Sequence, residues 1–240
     1  MKQIVSIVRK EMRSYFNSPI AYIVIIFFLV FSAIWLFYIN GFIARDTASL
    51  RSYFAIMPII FVGLVPALTM RSWAEESKLG TDELLFTLPY RETELVLGKF
   101  LSAYGLIILA LLLTIPLPIT LAPLGDFERG EIVGEYLGVG LLGAAATAIG
   151  LFISSLARNQ ITAFILGAVA LLFITLVNQI NVVLDLPTWL ASVINYISLR
   201  YHIESFIRGV VDTRDLVYFL ALTFLFLYLN TKTLVLRKWR

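Results

Sequence analysis

Long apolar stretches alternate with short polar ones along most of this chain. Several of the apolar stretches exceed about 18 residues and contain few charges, which is typical of helices that cross a bilayer. The pattern predicts six such helices, at about 20–43, 53–70, 97–121, 132–156, 161–183 and 216–234. We therefore expect an all-α integral membrane protein, with a single transmembrane domain that occupies residues 1–240.

The beginning of the chain has a different, amphipathic pattern over residues 2–16. Ile7 and Met12 fall on one half of a helix and Arg9 on the other, and Glu11 is the only acidic residue among the apolar positions. A basic amphipathic helix of this kind is typical of a segment that lies along the headgroup region of a membrane. The alternative, a secretory signal peptide, fits poorly because the apolar run that follows is too long and lacks a small-residue cleavage site.

Two shorter helical patterns occupy residues 187–211, before the last predicted span. Each contains charged residues and is too short to cross the bilayer. We expect re-entrant or interfacial helices on the outer side of the membrane.

The longest water-compatible stretch, residues 69–99, connects the second and third predicted spans and holds six of the sixteen acidic residues. Gly80 divides it, and Thr81 can then cap a short helix on which Leu84 and Leu88 share one face. One interpretation is a solvated loop with an incidental helical turn. The other is a docking helix for a soluble partner, which the agreement between the capping and breaking signals favours.

Composition supports the membrane assignment. Apolar residues make up 60% of the chain and charged residues only 15%, and the mean hydropathy is +0.89. The net charge of +3 does not indicate nucleic-acid binding, because the basic residues lie at span ends rather than in one patch. The chain has no cysteine and one histidine, so we expect neither disulfides nor a metal site.

The distribution of lysine and arginine predicts the orientation. One set of connections, including both termini and residues 71–99, collects thirteen of these residues, and the other set collects six. We therefore expect a multi-pass protein of the cell (inner) membrane with both termini in the cytoplasm.

The predicted spans lack the groups that several kinds of membrane protein need. No Asp, Glu, Lys or Arg lies in the middle of a span, which argues against a proton- or sodium-coupled carrier or a channel. No paired intramembrane acids or zinc motif occur, so an intramembrane enzyme is not expected. The phosphate-binding G-x-x-x-x-G-K-[ST] motif is also absent. If a nucleotide drives this protein, another chain binds it.

The fourth span contains two ladders of small residues at helical spacing. They are Gly140, Ala144 and Ala148 in one ladder, and Ala146, Gly150 and Ser154 in the other. Such ladders allow helix backbones to approach closely. The approach can take place inside one subunit or at a dimer seam, and the sequence leaves both open.

Short motifs between the second and third spans closely resemble the first cytoplasmic loop of ABC-2 type permeases, the membrane subunits of type V ABC exporters. They are MRSWAEE at 70–76, GTDELL at 80–85, TLP at 87–89 and LGK at 97–99. SPIAY at 18–22 and GLF at 150–152, followed by Ser154 and Ser155, resemble the subfamily that includes gliding-motility-associated permeases and the nitrous-oxide-reductase maturation permease. The resemblance covers essentially the whole chain.

The resemblance implies a cytoplasmic coupling helix at about 81–88, inside a coupling loop at 71–96, that seats in an ATPase subunit. The residues expected to couple the two proteins are Arg71, Glu75, Glu76, Gly80, Thr81, Asp82, Glu83, Leu84, Leu85, Leu88 and Pro89. The implied partners are two ABC ATPase subunits, which bind ATP and Mg, a second permease copy or homologue, membrane lipid, and a periplasmic or extracellular auxiliary protein. No cofactor is expected in this chain, and no nucleic acid.

In the family, spans two and five line the seam between two permeases. Here the corresponding pathway-lining residues are Tyr53, Phe54, Met57, Phe61, Thr175, Asn178 and Gln179. Because most of this lining is apolar, it suggests a hydrophobic or lipid-like cargo, although the same side chains can equally face neighbouring helices. We expect a permease subunit of an ATP-driven exporter; the alternative is a non-transporting anchor or force-transducing scaffold for a soluble ATPase complex.

Overall fold

The computed structural model describes residues 2–42, 49–80, 91–125, 127–181 and 187–238, and every regular element in these ranges is helical. The helices are α1 (Lys2–Asn17), α2 (Ile20–Ile34, extended by a π-helical turn over Trp35–Ile39), α3 (Arg51–Ala55), α4 (Met57–Leu79), α5 (Glu92–Leu112), α6 (Pro116–Leu121), α7 (Arg129–Leu156), α8 (Gln160–Leu176), α9 (Thr188–Ile197), α10 (Leu199–Ile207) and α11 (Thr213–Lys238). Single 3₁₀ turns follow α6 and α8.

Within the described part of the chain, six helical segments are long and apolar enough to cross a membrane, so the predicted number of spans is confirmed. They are Ile20–Ile39, Met57–Leu79, Glu92–Leu121, Arg129–Leu156, Gln160–Gln179 and Thr213–Arg237.

The central helix of the bundle is α7. It packs extensively against α4 and α11 and also contacts α5, α8 and α10. Of the most apolar stretch of α7, 78% is buried, and of α4 67%, compared with 28% for α2, α8 and α11. The α4–α7 pair therefore forms the core. The spans of α2, α8 and α11 present much of their surface outward, as lipid-facing helices do.

Small residues bring α7 close to its neighbours within the same chain. A Cβ atom added to Gly150 would lie 2.5 Å from Oγ1 of Thr69 on α4. One turn further along, the Ser154 hydroxyl accepts hydrogen bonds from the backbone N–H groups of Trp73 (3.2 Å) and Ala74 (3.3 Å). The ladder of Ala146, Gly150 and Ser154 thus packs inside the subunit, which resolves for this ladder the choice that the sequence left open.

The closest glycine contact on α7 gives a test of this packing. We expect Gly138→Ala to lower the free energy of unfolding by about 1–3 kcal/mol, the usual cost of overpacking a filled site. The added Cβ would lie 2.4 Å from Cβ of Phe206, an atom that rotamer changes cannot move away. Thermal unfolding of the purified complex in detergent measures the effect. The control is Gly105→Ala on α5, where nothing lies within 4 Å of the added atom, and equal melting temperatures for the two variants would contradict the close contact.

The helices around the predicted coupling loop are longer than the sequence pattern indicated. Residues 71–79 continue α4, and 92–96 are the first turns of α5. Gly80, with φ +66°, ends α4 in the left-handed conformation that glycine favours. The side chain of Glu94 accepts the backbone N–H of Arg91 (3.1 Å) and so caps α5. We call the end of the bundle that carries α1, Gly80 and Arg91 the α1 end.

The amphipathic α1 directs its apolar side toward the protein. It packs mainly along α5, with Ile7 and Tyr15 buried. A Cβ on Gly98 would lie 2.5 Å from Cγ2 of Ile7, so the two helices touch at a residue without a side chain. That the opposite, basic side of α1 lies along the membrane surface stays a prediction.

The two short outer helices differ in burial. No residue of α9 is buried, whereas Leu199, Ile203 and Phe206 of α10 are buried, and α10 packs against α7. Both lie at the end of the bundle opposite to α1, where α10 also contacts α3 and α9 contacts the 3₁₀ turn that follows α8. Their re-entrant placement in a membrane stays a prediction.

Candidate functional site

A buried lysine lies at the centre of the α1 end. Lys99, on α5, is only 2% exposed. Its Nζ donates to Oε1 of Glu76 (2.7 Å), to Oε1 of Glu11 (3.3 Å) and to the backbone oxygen of Ser72 (2.6 Å). These three hydrogen bonds use all the donors of the ammonium group. We refer to Glu11, Ser72, Trp73, Glu76 and Lys99 as the Lys99 junction.

Trp73 completes the junction on the remaining side. The Lys99 ammonium lies 4.7 Å from the centroid of the Trp73 ring, a distance at which the ring face attracts a cation. Trp73 is itself buried, and its backbone N–H is bonded to Ser154 of α7. The cation is therefore enclosed by groups that are fixed to the core of the bundle.

The junction joins three helices. Glu11 belongs to α1, Glu76 to α4 and Lys99 to α5. Because the charges are almost fully removed from water, separating any two of them exposes a carboxylate or an ammonium to an apolar surrounding. The two helices that lead into and out of residues 81–90 thus move together or break a buried ion pair.

Tyr15 gives α1 a second connection to α4. Its hydroxyl lies 3.4 Å from Oγ of Ser72 and donates a long hydrogen bond (3.5 Å) to the backbone oxygen of Leu68. Burial raises the pKa of Tyr15 above its ordinary value of 10. The hydroxyl therefore stays neutral and keeps its proton for donation.

The structure separates the residues predicted to contact an ATPase. Arg71 and Glu75 lie on the outward side of α4, with Nε 3.8 Å from Oε2 and side chains that are 40% and 37% exposed. Glu76, in contrast, belongs to the buried junction. Gly80 is the last described residue before the gap. The predicted coupling residues Thr81, Asp82, Glu83, Leu84, Leu85, Leu88 and Pro89 lie outside the described residues.

The predicted pathway residues of the second span lie inside the chain. Tyr53, Phe54, Met57 and Phe61 are all at most 2% exposed. The ring of Phe54 meets that of Tyr136 on α7 edge to face, with centroids 5.0 Å apart. These side chains can line a passage only where α3 and α4 separate from α2 and α7.

The residues predicted from the fifth span differ from one another. Thr175 is buried, and its backbone oxygen accepts a hydrogen bond from Ser198 (3.0 Å). Asn178 is partly buried and Gln179 is exposed at the end of α8. Of the seven predicted pathway residues, Gln179 alone has a freely exposed side chain in the single chain.

Sequence reasoning did not assign a role to Lys99 or Glu11, although both carried a signal. Glu11 is the only acidic residue on the apolar half of α1, and Lys99 lies at the edge of a predicted span. A charge at an apolar position has to find a buried partner or remain costly. That argument pairs an acid with a base but does not say which ones, and the fold supplies the answer.

A second buried polar group lies at the opposite end, between α10 and α11. Asp215 accepts a hydrogen bond from Ser205 and pairs with His202 (Nδ1 to Oδ1 2.6 Å). The imidazole also lies 3.0 Å from the backbone oxygen of Tyr196 through Nε2 and stacks on the ring of Tyr218, with centroids 3.7 Å apart. We call these five residues the Asp215 cluster.

The geometry of the Asp215 cluster is that of a structural network. A nucleophilic serine requires a base within hydrogen-bonding reach, but Ser205 and His202 both bond to the carboxylate that lies between them. In the part of the chain that the structure describes, no three His, Asp or Glu residues are grouped so as to hold a metal ion. The cluster fixes α10 to the first turn of α11.

Comparison with known proteins adds one finding. The family model for the ABC-2 family transporter protein matches residues 44–232, most of the chain, from the connection after the first span to the last turns of α11. None of the curated proteins matches this sequence.

Proposed function

Because this chain belongs to the ABC-2 family of transporter proteins, we propose that it is the permease subunit of an ATP-driven exporter, coupled through the 71–96 loop to a separate cytoplasmic ATPase. Its six apolar helices make it a multi-pass membrane protein. Cargo, coupling and sidedness are the parts of the proposal that go beyond family membership.

The Lys99 junction is the observation that supports this proposal most directly. The Lys99–Glu76 ion pair joins α4 to α5 close to residues 81–90. Glu76 lies about one turn before the end of α4, and Lys99 lies about two turns after the start of α5. A partner that displaces the loop would therefore displace both spans as one body, which is how a docking element transmits motion. The third helix of the junction, α1, would follow them through Glu11.

The composition of the second and fifth spans supports a hydrophobic or lipid-like cargo. Movement of α3 and α4 away from their neighbours would uncover Phe54, Met57 and Phe61. The polar groups of the predicted path are all uncharged, namely the Tyr53 hydroxyl and the side chains of Thr175, Asn178 and Gln179. A surface of this kind binds apolar molecules without offering sites for ions. Two permeases, identical or related, would form the complete path between them.

The sequence has no phosphate-binding motif, so the proposal assigns nucleotide binding to a separate subunit. Two ATPase subunits would bind ATP and Mg and close around them, and a periplasmic or extracellular auxiliary protein would receive the cargo. The protein would lie in the inner membrane, and the surplus of Lys and Arg at the α1 end supports a cytoplasmic location of that end and of both termini.

The exposed acid of the predicted contact allows a test that spares the fold. We expect Glu75→Ala to reduce ATP hydrolysis and transport by the reconstituted complex several-fold without changing its melting temperature, because Glu75 is 37% exposed and, among the described residues, forms an ion pair only with the exposed Arg71. The matched control is Glu204→Ala, which removes the acid of another i,i+4 pair on an exposed surface at the opposite end. Hydrolysis and transport should be measured on the same preparation.

The outcomes separate the proposal from its alternative. Equal activity of the two variants would place the coupling contact elsewhere. A wild-type complex that binds the ATPase but moves no cargo with ATP would favour the anchor or force-transducing scaffold.

The sidedness is tested by a Ser77→Cys variant, since the chain has no cysteine of its own. A membrane-impermeant maleimide should label this variant only in inside-out vesicles.

A further inference from the structure

A large apolar cavity lies at the end of the bundle opposite to α1, and none of the predicted pathway residues lines it. Its volume is about 1040 Å³, at the upper limit of the roughly 300–1,000 Å³ that ligand pockets usually have. It lies between the end of α5, α6 and the start of α7. Leu112, Ile119 and Val133 line it and are also exposed on the outside of the chain, so the cavity is continuous with the lipid-facing surface.

The cavity is held open by the structure around it. The chain turns at the end of α5, where Thr114 bonds to the hydroxyl of Tyr136 on α7 (2.9 Å) and fixes the distance between the two helices. Pro116 and Pro118 stiffen α6 on one side. On the other side, the ring of Phe127 stacks on Phe42, with centroids 6.3 Å apart. Side chains that are fixed in this way cannot collapse into the space.

Two opposite charges lie at the mouth of the cavity. Glu128 and Arg129 both line it and are both exposed. Neither forms an ion pair with another residue in the described ranges, where the nearby Glu131 pairs with Arg51 instead (2.5 Å). An apolar slot with an anion and a cation at its entrance matches an amphiphile whose head carries both charges.

The length of α7 places this mouth at the level of the lipid headgroups. Its 28 residues extend over about 42 Å at a rise of about 1.5 Å per residue, whereas the hydrocarbon core is about 30 Å thick. Glu128 is the residue before α7 and Arg129 is its first residue. With the surplus length divided between the two ends of α7, both charges lie beyond the hydrocarbon, and the apolar walls extend from them into it.

We propose that this cavity binds one phospholipid with a zwitterionic head. An acyl chain would fill the slot, the phosphate would pair with Arg129, and the ammonium would pair with Glu128 through charge-assisted hydrogen bonds. The site contains none of the residues predicted to line the path along spans two and five, although the ring of Tyr136 in its wall contacts Phe54. The proposal does not depend on the proposed transport function.

Native mass spectrometry of the purified complex, incubated in detergent with phosphatidylethanolamine or phosphatidylglycerol, tests the proposal. We expect wild-type protein to retain one phosphatidylethanolamine per chain in preference to phosphatidylglycerol, which lacks the ammonium group. Val133→Trp should fill the slot and weaken the retention of both lipids by about tenfold or more. Its control is Ile26→Trp, at an outward-facing position of α2 that does not line the cavity.

Two charge variants separate a specific site from general lipid adhesion. Glu128→Gln should abolish the preference for phosphatidylethanolamine, and Arg129→Gln should weaken the retention of both lipids. Equal retention of the two lipids by wild-type protein would overturn the proposal, as would unchanged retention in Val133→Trp. Loss of lipid in Val133→Trp without any effect of the two charge variants would also overturn it, since the slot would then accept any alkyl chain.

Discussion

Replacing Lys99 by methionine is expected to remove much of the stability of this protein. The substitution would remove the ammonium group that lies 2.7 Å from Oε1 of Glu76 in a buried site. Removing one partner of a buried ion pair typically costs about 3–5 kcal/mol, a large share of the roughly 5–15 kcal/mol that holds a domain folded. The yield of monodisperse protein after extraction in detergent, together with its melting temperature, measures the loss.

Two further variants make this result specific. Arg208→Met breaks an ion pair whose side chains are 63% and 60% exposed, and it should change the melting temperature little. The double variant Lys99→Met/Glu76→Leu should recover part of the loss, because well-packed apolar groups can replace a buried pair. If Lys99→Met were no more harmful than Arg208→Met, the buried pair would not hold the three helices together.

A comparable loss is expected at the other end of the bundle from Asp215→Ala. The carboxylate accepts hydrogen bonds from two groups of α10, and each buried donor that loses its acceptor costs about 1–3 kcal/mol. His202 is 1% exposed, so water cannot take the place of the carboxylate without opening the structure. We expect α10 to detach from α11, which hydrogen exchange of the α10 amides measures directly.

The control for this variant lies three residues earlier. Asp212 accepts the backbone N–H of Arg214 (2.8 Å) and so supports only the start of α11. Asp212→Ala should therefore increase exchange at the first turn of α11 and leave α10 protected. Equal protection of α10 in the two variants would show that the Asp215 cluster does not anchor this helix.

The number of spans could be predicted from the sequence because each is recorded in a continuous apolar run. The sequence also predicts a break at Gly80, where a left-handed residue is a local requirement, but it does not predict that α4 continues as far as Gly80. The limits of α4 and α5 at the α1 end could not be predicted in this way. The charges of Glu76 and Lys99 indicate a loop when each segment is considered alone. The two side chains are compatible with buried helices only because they form an ion pair with each other.

Which faces meet is also a property of the fold rather than of the local pattern. The ladder through Gly150 predicted a close approach but not its partner, which is Thr69 on α4 of the same chain. Similarly, His202 gave no sign in the sequence that its partner would be Asp215, thirteen residues away across a turn. Pairing of this kind depends on the angles between helices, and these angles cannot be read from the spacing of residues along one helix.

The position of α7 has a consequence for how the protein is made. Spans are synthesised in order, and the helix that the others surround follows α2, α4 and α5. The N–H of Trp73 on α4 must wait for Ser154, 81 residues later in the chain. Until then α2, α4 and α5 lack the element that aligns them, and α11, which also packs against α7, follows later still. We therefore expect the early spans to acquire their final neighbours together, once α7 has been synthesised.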